Sequence, residues 1–230
     1  MEGKRKMKKI IIPLIAFAIL TFTGSAIAWD VNIGIGVQDA DVEITASATT
    51  VNYTLASSAG VDGTGQIMIH GEGDSESGYM LTGVEGEGTL YASQGMGARG
   101  CLSDCGEELC DECPDYEYGA TSGGTINGEG KIMLAQAAGY DTQQGNVNAQ
   151  VLVVHGHGDF VAGMMSSLLI EGMVEPVNHS MGTYGENVEF CAFGIHGMLT
   201  TDGTNAGYFT TDMNFLNEGC EENNPVEIPE

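Results

Sequence analysis

The chain has 230 residues, of which 35 are glycine, 32 are acidic and only seven are Lys or Arg. Hydrophobic residues make up 42%, too many for a disordered chain, and the glycines keep no three-residue period, which excludes a collagen. So few basic residues also argue against nucleic acid and anionic lipid as partners, because both need clustered Lys and Arg.

Lys4, Arg5, Lys6, Lys8 and Lys9 precede an apolar run over residues 10–20, and Ser25-Ala26-Ile27-Ala28 supplies the small residues a signal peptidase reads. Residues 1–28 therefore read as a secretory leader, too short and wrongly flanked for a membrane span. A class III pilin leader is disfavoured, since Lys9 rather than glycine precedes Ile10. The expected mature chain starts at Trp29 and keeps two basic residues, Arg99 and Lys131. It also keeps every acidic residue except Glu2, for a formal charge of −29. Such a chain should repel its own copies unless cations, protonation or dense backbone pairing offset the charge.

Period-two alternation dominates the mature chain. Val31, Ile33, Ile35 and Val37 alternate with polar or glycine residues, then Val42, Ile44, Ala46 and Ala48, then Val51, Tyr53 and Leu55. Later runs are Val147-Ala149-Val151-Val153, Val188-Phe190-Ala192 and residues 208–215. Clusters such as Asp62-Gly63 and Asp202-Gly203-Thr204-Asn205 read as turns between them, an all-β signature. Residues 163–174 and 135–138 are weak helical alternatives. Gly63-Thr64-Gly65-Gln66-Ile67-Met68-Ile69 is echoed by Gly128-Glu129-Gly130-Lys131-Ile132-Met133-Leu134, and more loosely at residues 86–92. His70-Gly71-Glu72-Gly73-Asp74 recurs as His155-Gly156-His157-Gly158-Asp159, and Ile195-His196-Gly197 begins a degraded copy. These repeats predict antiparallel sheets of duplicated glycine-rich hairpins, offset by roughly 85 residues, forming a sandwich or a large curved sheet. The expected organisation is a single all-β domain over residues 29–220. A disulfide-rich acidic loop is inserted at 101–118, and residues 221–230 form an acidic tail.

Cys101, Cys105, Cys110, Cys113, Cys191 and Cys220 form an even set behind a secretory leader, which reads as disulfides before metal. The neighbouring carboxylates Asp104, Glu107, Glu108, Asp111 and Glu112 also disfavour reactive thiolates. Fifteen pairings are open. His155 and His157 share one face of a strand and, with His70 and His196, raise a zinc or copper reading; a strand-end residue copied by duplication is the plainer one. The ten Met residues of the mature chain (Met68, Met80, Met96, Met133, Met164, Met165, Met173, Met181, Met198 and Met213) read as core filling rather than copper ligands. Asp39-Ala40-Asp41, Asp74 and Asp159 fit weak, plural calcium binding without a specific site. Asn52-Tyr53-Thr54 and Asn178-His179-Ser180 are N-glycosylation sequons. No G-x-S-x-G, H-E-x-x-H or P-loop occurs, and no catalytic or cofactor-binding residue is expected.

Glycine-rich alternating strands, scarce Lys and Arg, and a cysteine-dense acidic loop together define a profile. In these features the mature chain resembles the sheath proteins of filamentous methanogenic archaea, whose subunits form tubular, amyloid-like β assemblies around the cells. The resemblance implies an extracellular or cell-envelope structural protein whose partners are copies of itself, joined by β-strand pairing. A secreted acidic metal- or calcium-binding protein and a donor-strand pilin or adhesin are the alternatives.

Overall fold

A computed structural model describes residues 28–50, 53–101, 115–141, 145–170, 177–196, 198–200 and 208–210. Six long strands form one antiparallel sheet in chain order: β1 (Trp29–Thr49), β2 (Tyr53–Gly73), β3 (Ser77–Cys101), β4 (Asp115–Asp141), β5 (Gly145–Ile170) and β6 (Val177–His196). A separate short ladder pairs β7 (Met198–Thr200) with β8 (Tyr208–Thr210). No helix occurs among the described residues. The segments 135–138 and 163–170, weighed as helix, lie in β4 and β5. Alternation won there because each segment sits between paired strands that satisfy its backbone.

These strands are long for a globular protein; the usual length is about five or six residues. A straight strand of the 25 residues of β3 would span about 80 Å. The strands are not straight. Gln94 Nε2 donates to the carbonyl of Met80, fourteen residues earlier on β3, at 3.0 Å. Straight strand would put those residues about 46 Å apart. Ser57 of β2 likewise reaches Thr82 of β3, although Ser57 pairs with Gln94 and Thr82 with Ile69. A Cβ on Gly124 would lie 3.5 Å from Val154, whose register partner on β4 is Ile132. The sheet therefore bends over, and each long strand has two arms whose inner faces meet.

The bend follows two rows of glycine in register across β2 to β5. One row is Gly63, Gly88, Gly128 and Gly158; the other is Gly65, Gly86, Gly130 and Gly156. A Cβ at any of the eight would sit 2.2–2.6 Å from a carbonyl oxygen of the adjacent strand. On the concave side of a sharp bend, backbones close up and leave no room for side chains. Several of these residues also have positive φ, +126° at Gly88 and +132° at Gly158, which L side chains rarely adopt. Asp62-Gly63, expected as a turn, is thus the corner inside one continuous strand.

Residues facing inward on both arms form the core, including Leu55, Val61, Ile67, Ile69, Leu90, Ile126, Ile132, Leu152 and Phe160. Phe160 stacks on Phe190 with centroids 4.1 Å apart. Backbone bonds join the strand ends of two hairpins. Thr50 N donates to the Tyr53 carbonyl at 2.8 Å, and Asp74 N to that of Ser77 at 2.8 Å. The indole of Trp29 covers Gly71, Gly73 and Gly78, where a Cβ would lie within 2.6–2.8 Å of the ring. The Tyr53 hydroxyl donates to the Asp74 carbonyl.

Four further expectations change. Both ends of the expected 101–118 loop are strand: Cys101 ends β3, and Asp115 through Tyr118 begin β4 in register with residues 98–101. The two histidine motifs are not equivalent positions: Gly156 and Gly158 lie in the corner rows, whereas Gly71 and Gly73 end β2. The Gly-x-Gly copies on β2 and β4 do share a level, 65 residues apart, so the 85-residue offset does not align the strands. On β5 the inward residues are Gln150, Leu152 and Val154, not the Val151 and Val153 of the predicted run.

Candidate functional site: the sheet edges and the outer corner

The interior strands are paired on both sides, while β1 and β6 are the edges of the sheet. Neither edge strand contains a Lys or Pro, the residues that commonly discourage edge pairing. The inner face of β1 is incompletely covered. Trp29, Val31, Ile33, Val42 and Ile44 are only half-buried, and Ile35 is 38% exposed, although their neighbours on β2, such as Ile67 and Ile69, are buried. At β1 the core therefore opens along an apolar rim.

The edges also turn the corner differently. Val37 pairs with Gly65 and Ala40 with Gly63, so Gln38 and Asp39 face the single residue Thr64. On β6, Glu186 and Asn187 face the single residue Asp159. Each edge has a two-for-one bulge, with φ of +47° at Asp39 and +49° at Asn187. Asn187 N donates to Asp159 Oδ1 at 2.6 Å, which pins the β6 bulge.

On the convex side of the corner, polar side chains splay outward. One register row runs Thr64, Glu87, Glu129, His157 and Glu189; the next runs Gln66, Glu85, Lys131 and His155. Lys131 Nζ lies 3.3 Å from Glu85 Oε2 in an exposed pair, of a kind generally worth about 0–1 kcal/mol. Glu87 and Glu129 are like charges in register, an unfavourable pairing that solvent screens.

The structure separates the histidines considered as metal ligands. His155 and His157 are exposed on the outer corner, while His70 lies near the end of β2, 3.0 Å from the Tyr79 hydroxyl and 3.3 Å from Glu72. The side chain of His196 lies outside the described residues. Among the described residues no group of three His, Cys, Asp or Glu could hold a metal ion. The turn carboxylates have backbone partners. Asp74 Oδ1 accepts from Glu76 N at 2.8 Å and Ser77 N at 3.0 Å, and those bonds hold its pKa below the usual carboxylate range.

The methionines divide between faces, which corrects the expectation of core filling. Met80, Met96 and Met164 are buried, whereas Met68, Met133 and Met165 face outward and are 50%, 38% and 56% exposed. Met68 and Met133 flank Gly83 on one outer face. Both faces of β2 and β4 are apolar there, so composition did not mark which face is covered. Asn178 and Ser180 of the second sequon are exposed on edge strand β6. Asn52, Cys105, Cys110, Cys113, Cys220, the tail and residues 1–27 lie outside the described residues, as do the side chains of Cys101 and Cys191.

Sequence reasoning missed the open β1 rim and the corner. The signal for the corner was present as four Gly-x-Gly pairs, at 63/65, 86/88, 128/130 and 156/158. No family model, curated protein or solved structure matches this chain.

Proposed function

We propose that the protein is a secreted structural subunit that self-assembles by β-strand pairing into a sheath or filament. The observation that carries this reading is the β1 edge: 21 residues without Lys or Pro, along which the inner face is half-open. A strand from a second copy would pair that edge's free N–H and C=O groups and cover Val31, Ile33 and Ile35 together. Polarity is compatible. β1 and β6 run in opposite directions, so β6 of one copy beside β1 of the next continues the antiparallel order, with the two bulges on either side of the Gly63–Gly158 row and two register rows apart. Such head-to-tail contacts do not close on themselves and generate open polymers or large rings.

In this reading the bent sheet is a two-layer sandwich built from duplicated glycine-rich hairpins. The cysteine-rich segment between β3 and β4 is a disulfide-linked loop, with Cys191 and Cys220 also oxidised. Residues 1–28 are removed on export, and Asn52 and Asn178 are sugar acceptors. No catalytic role is assigned. Calcium enters only as a diffuse counter-ion to the −29 charge.

The test is an edge block. Ile33→Lys places a charge on the half-open inner face, where its stem can reach water, as natural edge strands do. Gly34→Lys adds charge on the outer face, where a Cβ meets nothing within 4 Å. Ile33→Lys should yield folded monomers by scattering and circular dichroism under conditions where wild type polymerises. Wild type that stays monomeric with calcium present, or Ile33→Lys that polymerises normally, would refute the proposal.

A further inference from the structure

Deep between the two arms lies a polar seam that the apolar core does not explain. Gln94 and Ser122 are register partners on one arm; Gln136 and Gln150 are partners on the other. All four are between 0% and 4% exposed. The arms meet here. Gln94 Nε2 donates across to the Met80 carbonyl at 3.0 Å and to Thr82 Oγ1 at 2.7 Å, and Met80 is the register partner of Gln136. Gln136 Nε2 donates to Gln150 Oε1 at 3.0 Å.

Four polar atoms remain without a protein partner: Gln94 Oε1, Ser122 Oγ, Gln136 Oε1 and Gln150 Nε2. The pattern does not depend on amide orientation. A single bond between two glutamines leaves one oxygen and one nitrogen facing away, whichever way the pair is turned. Gln94 is fixed, because turning it would set its oxygen against the Met80 carbonyl. Leaving such groups dry is costly.

We infer that the seam binds buried water that bridges the two arms of the sheet. The ligand must donate to the oxygens of Gln94 and Gln136 and accept from the Gln150 amide, with Ser122 serving in either role. A cation cannot accept from the amide. An anion would be repelled by two carbonyl oxygens, and an apolar molecule would satisfy none of them. Water does both, and buried waters commonly make two to four such bonds. The seam acts as a polar register mark, tying Gln94 and Ser122 to the Met80–Gln136–Gln150 row.

Water-to-side-chain magnetisation transfer by NMR on the full chain, soluble or assembled, tests this directly. The side-chain amide protons of Gln136 and Gln150 should contact a long-lived water while exchanging slowly with bulk solvent. The double variant Gln136→Leu/Gln150→Leu should lose that water, read at the backbone amides of Gln94 and Ser122, whereas the exposed Gln66→Leu should keep it. Should the double variant not fold, Ser122→Ala removes one partner with a smaller change and should weaken the contact at Gln150. A folded wild type with no water contact at Gln136 or Gln150 overturns the inference without any variant, as does a contact unchanged in Ser122→Ala and in a folded double variant.

Discussion

The four interior strands and the two edge strands solve the same bend by different means. Interior strands cross the corner with Gly-x-Gly, because a Cβ there would strike a neighbouring carbonyl on the paired side. Edge strands have a neighbour on one side only, so they can insert an extra residue and bulge outward at Asp39 and Asn187. Close packing demands glycine in the interior, while freedom at the edge permits ordinary residues at modest strain. The same asymmetry leaves the core sealed in the middle and half-open at β1.

Stability measurements sharpen this comparison when made on the soluble Ile33→Lys background. Gly88→Ala and Gly158→Ala should be the most damaging single changes. Each combines positive φ with a Cβ 2.2–2.4 Å from backbone, and neither backbone can move without disturbing its row. A loss of at least about 3 kcal/mol in urea unfolding is expected; a loss below about 1 kcal/mol would mean that the rows are not close-packed. Trp29→Ala uncovers Gly71, Gly73 and Gly78 and should cost about 2–3 kcal/mol, since the indole is only half-buried. At the edges the sign reverses. Asp39→Gly relieves a left-handed φ and Gly34→Ala adds a methyl in open space; each should be neutral or stabilising by up to about 1 kcal/mol. Asn187→Gly should behave similarly, because its bond to Asp159 uses the backbone N–H, which glycine retains.

Smaller effects appear in pH dependence. Asp74 has a pKa lowered by the Ser77 and Glu76 amides, so its contribution is present above the unfolded carboxylate value and is lost as pH falls through the folded one. Asp74→Asn should keep the turn and flatten the fall in melting temperature through the acid range. Tyr91 is pushed up to about 12, mainly by burial and then by Glu43 and Asp41. Its contribution is complete below pH 10 and is lost as pH rises toward about 12. Tyr91→Phe should remove one late-titrating step from the tyrosinate absorbance; an unchanged titration would contradict the placement of Tyr91 over Gly60 beside Glu43.

Much of the fold was legible because its local rule is simple. Alternation over residues 31–37 and 42–48 marked β1, and the Gly-x-Gly-x-Ile-Met copies marked matching segments of β2 and β4. The candidate site was less legible. The repeated His70 and His155 motifs match in sequence, but strand register sends one to a strand end and the other to the corner. Met68 and Met80 are the same residue type in similar alternating contexts, and only the fold-over buries one and exposes the other.

By itself, the sequence determined an all-β chain of alternating, glycine-punctuated segments with almost no basic side chains to guard strand edges. Backbone alternation and the absence of Lys and Pro are properties of each segment alone. Only the tertiary structure decided that the glycines align into rows, that the sheet doubles over along them, and that β1 is left half-covered. Those outcomes depend on which strand lies beside which and at what register. Register is fixed by hydrogen bonding and close packing between segments dozens of residues apart, so no single segment carries it.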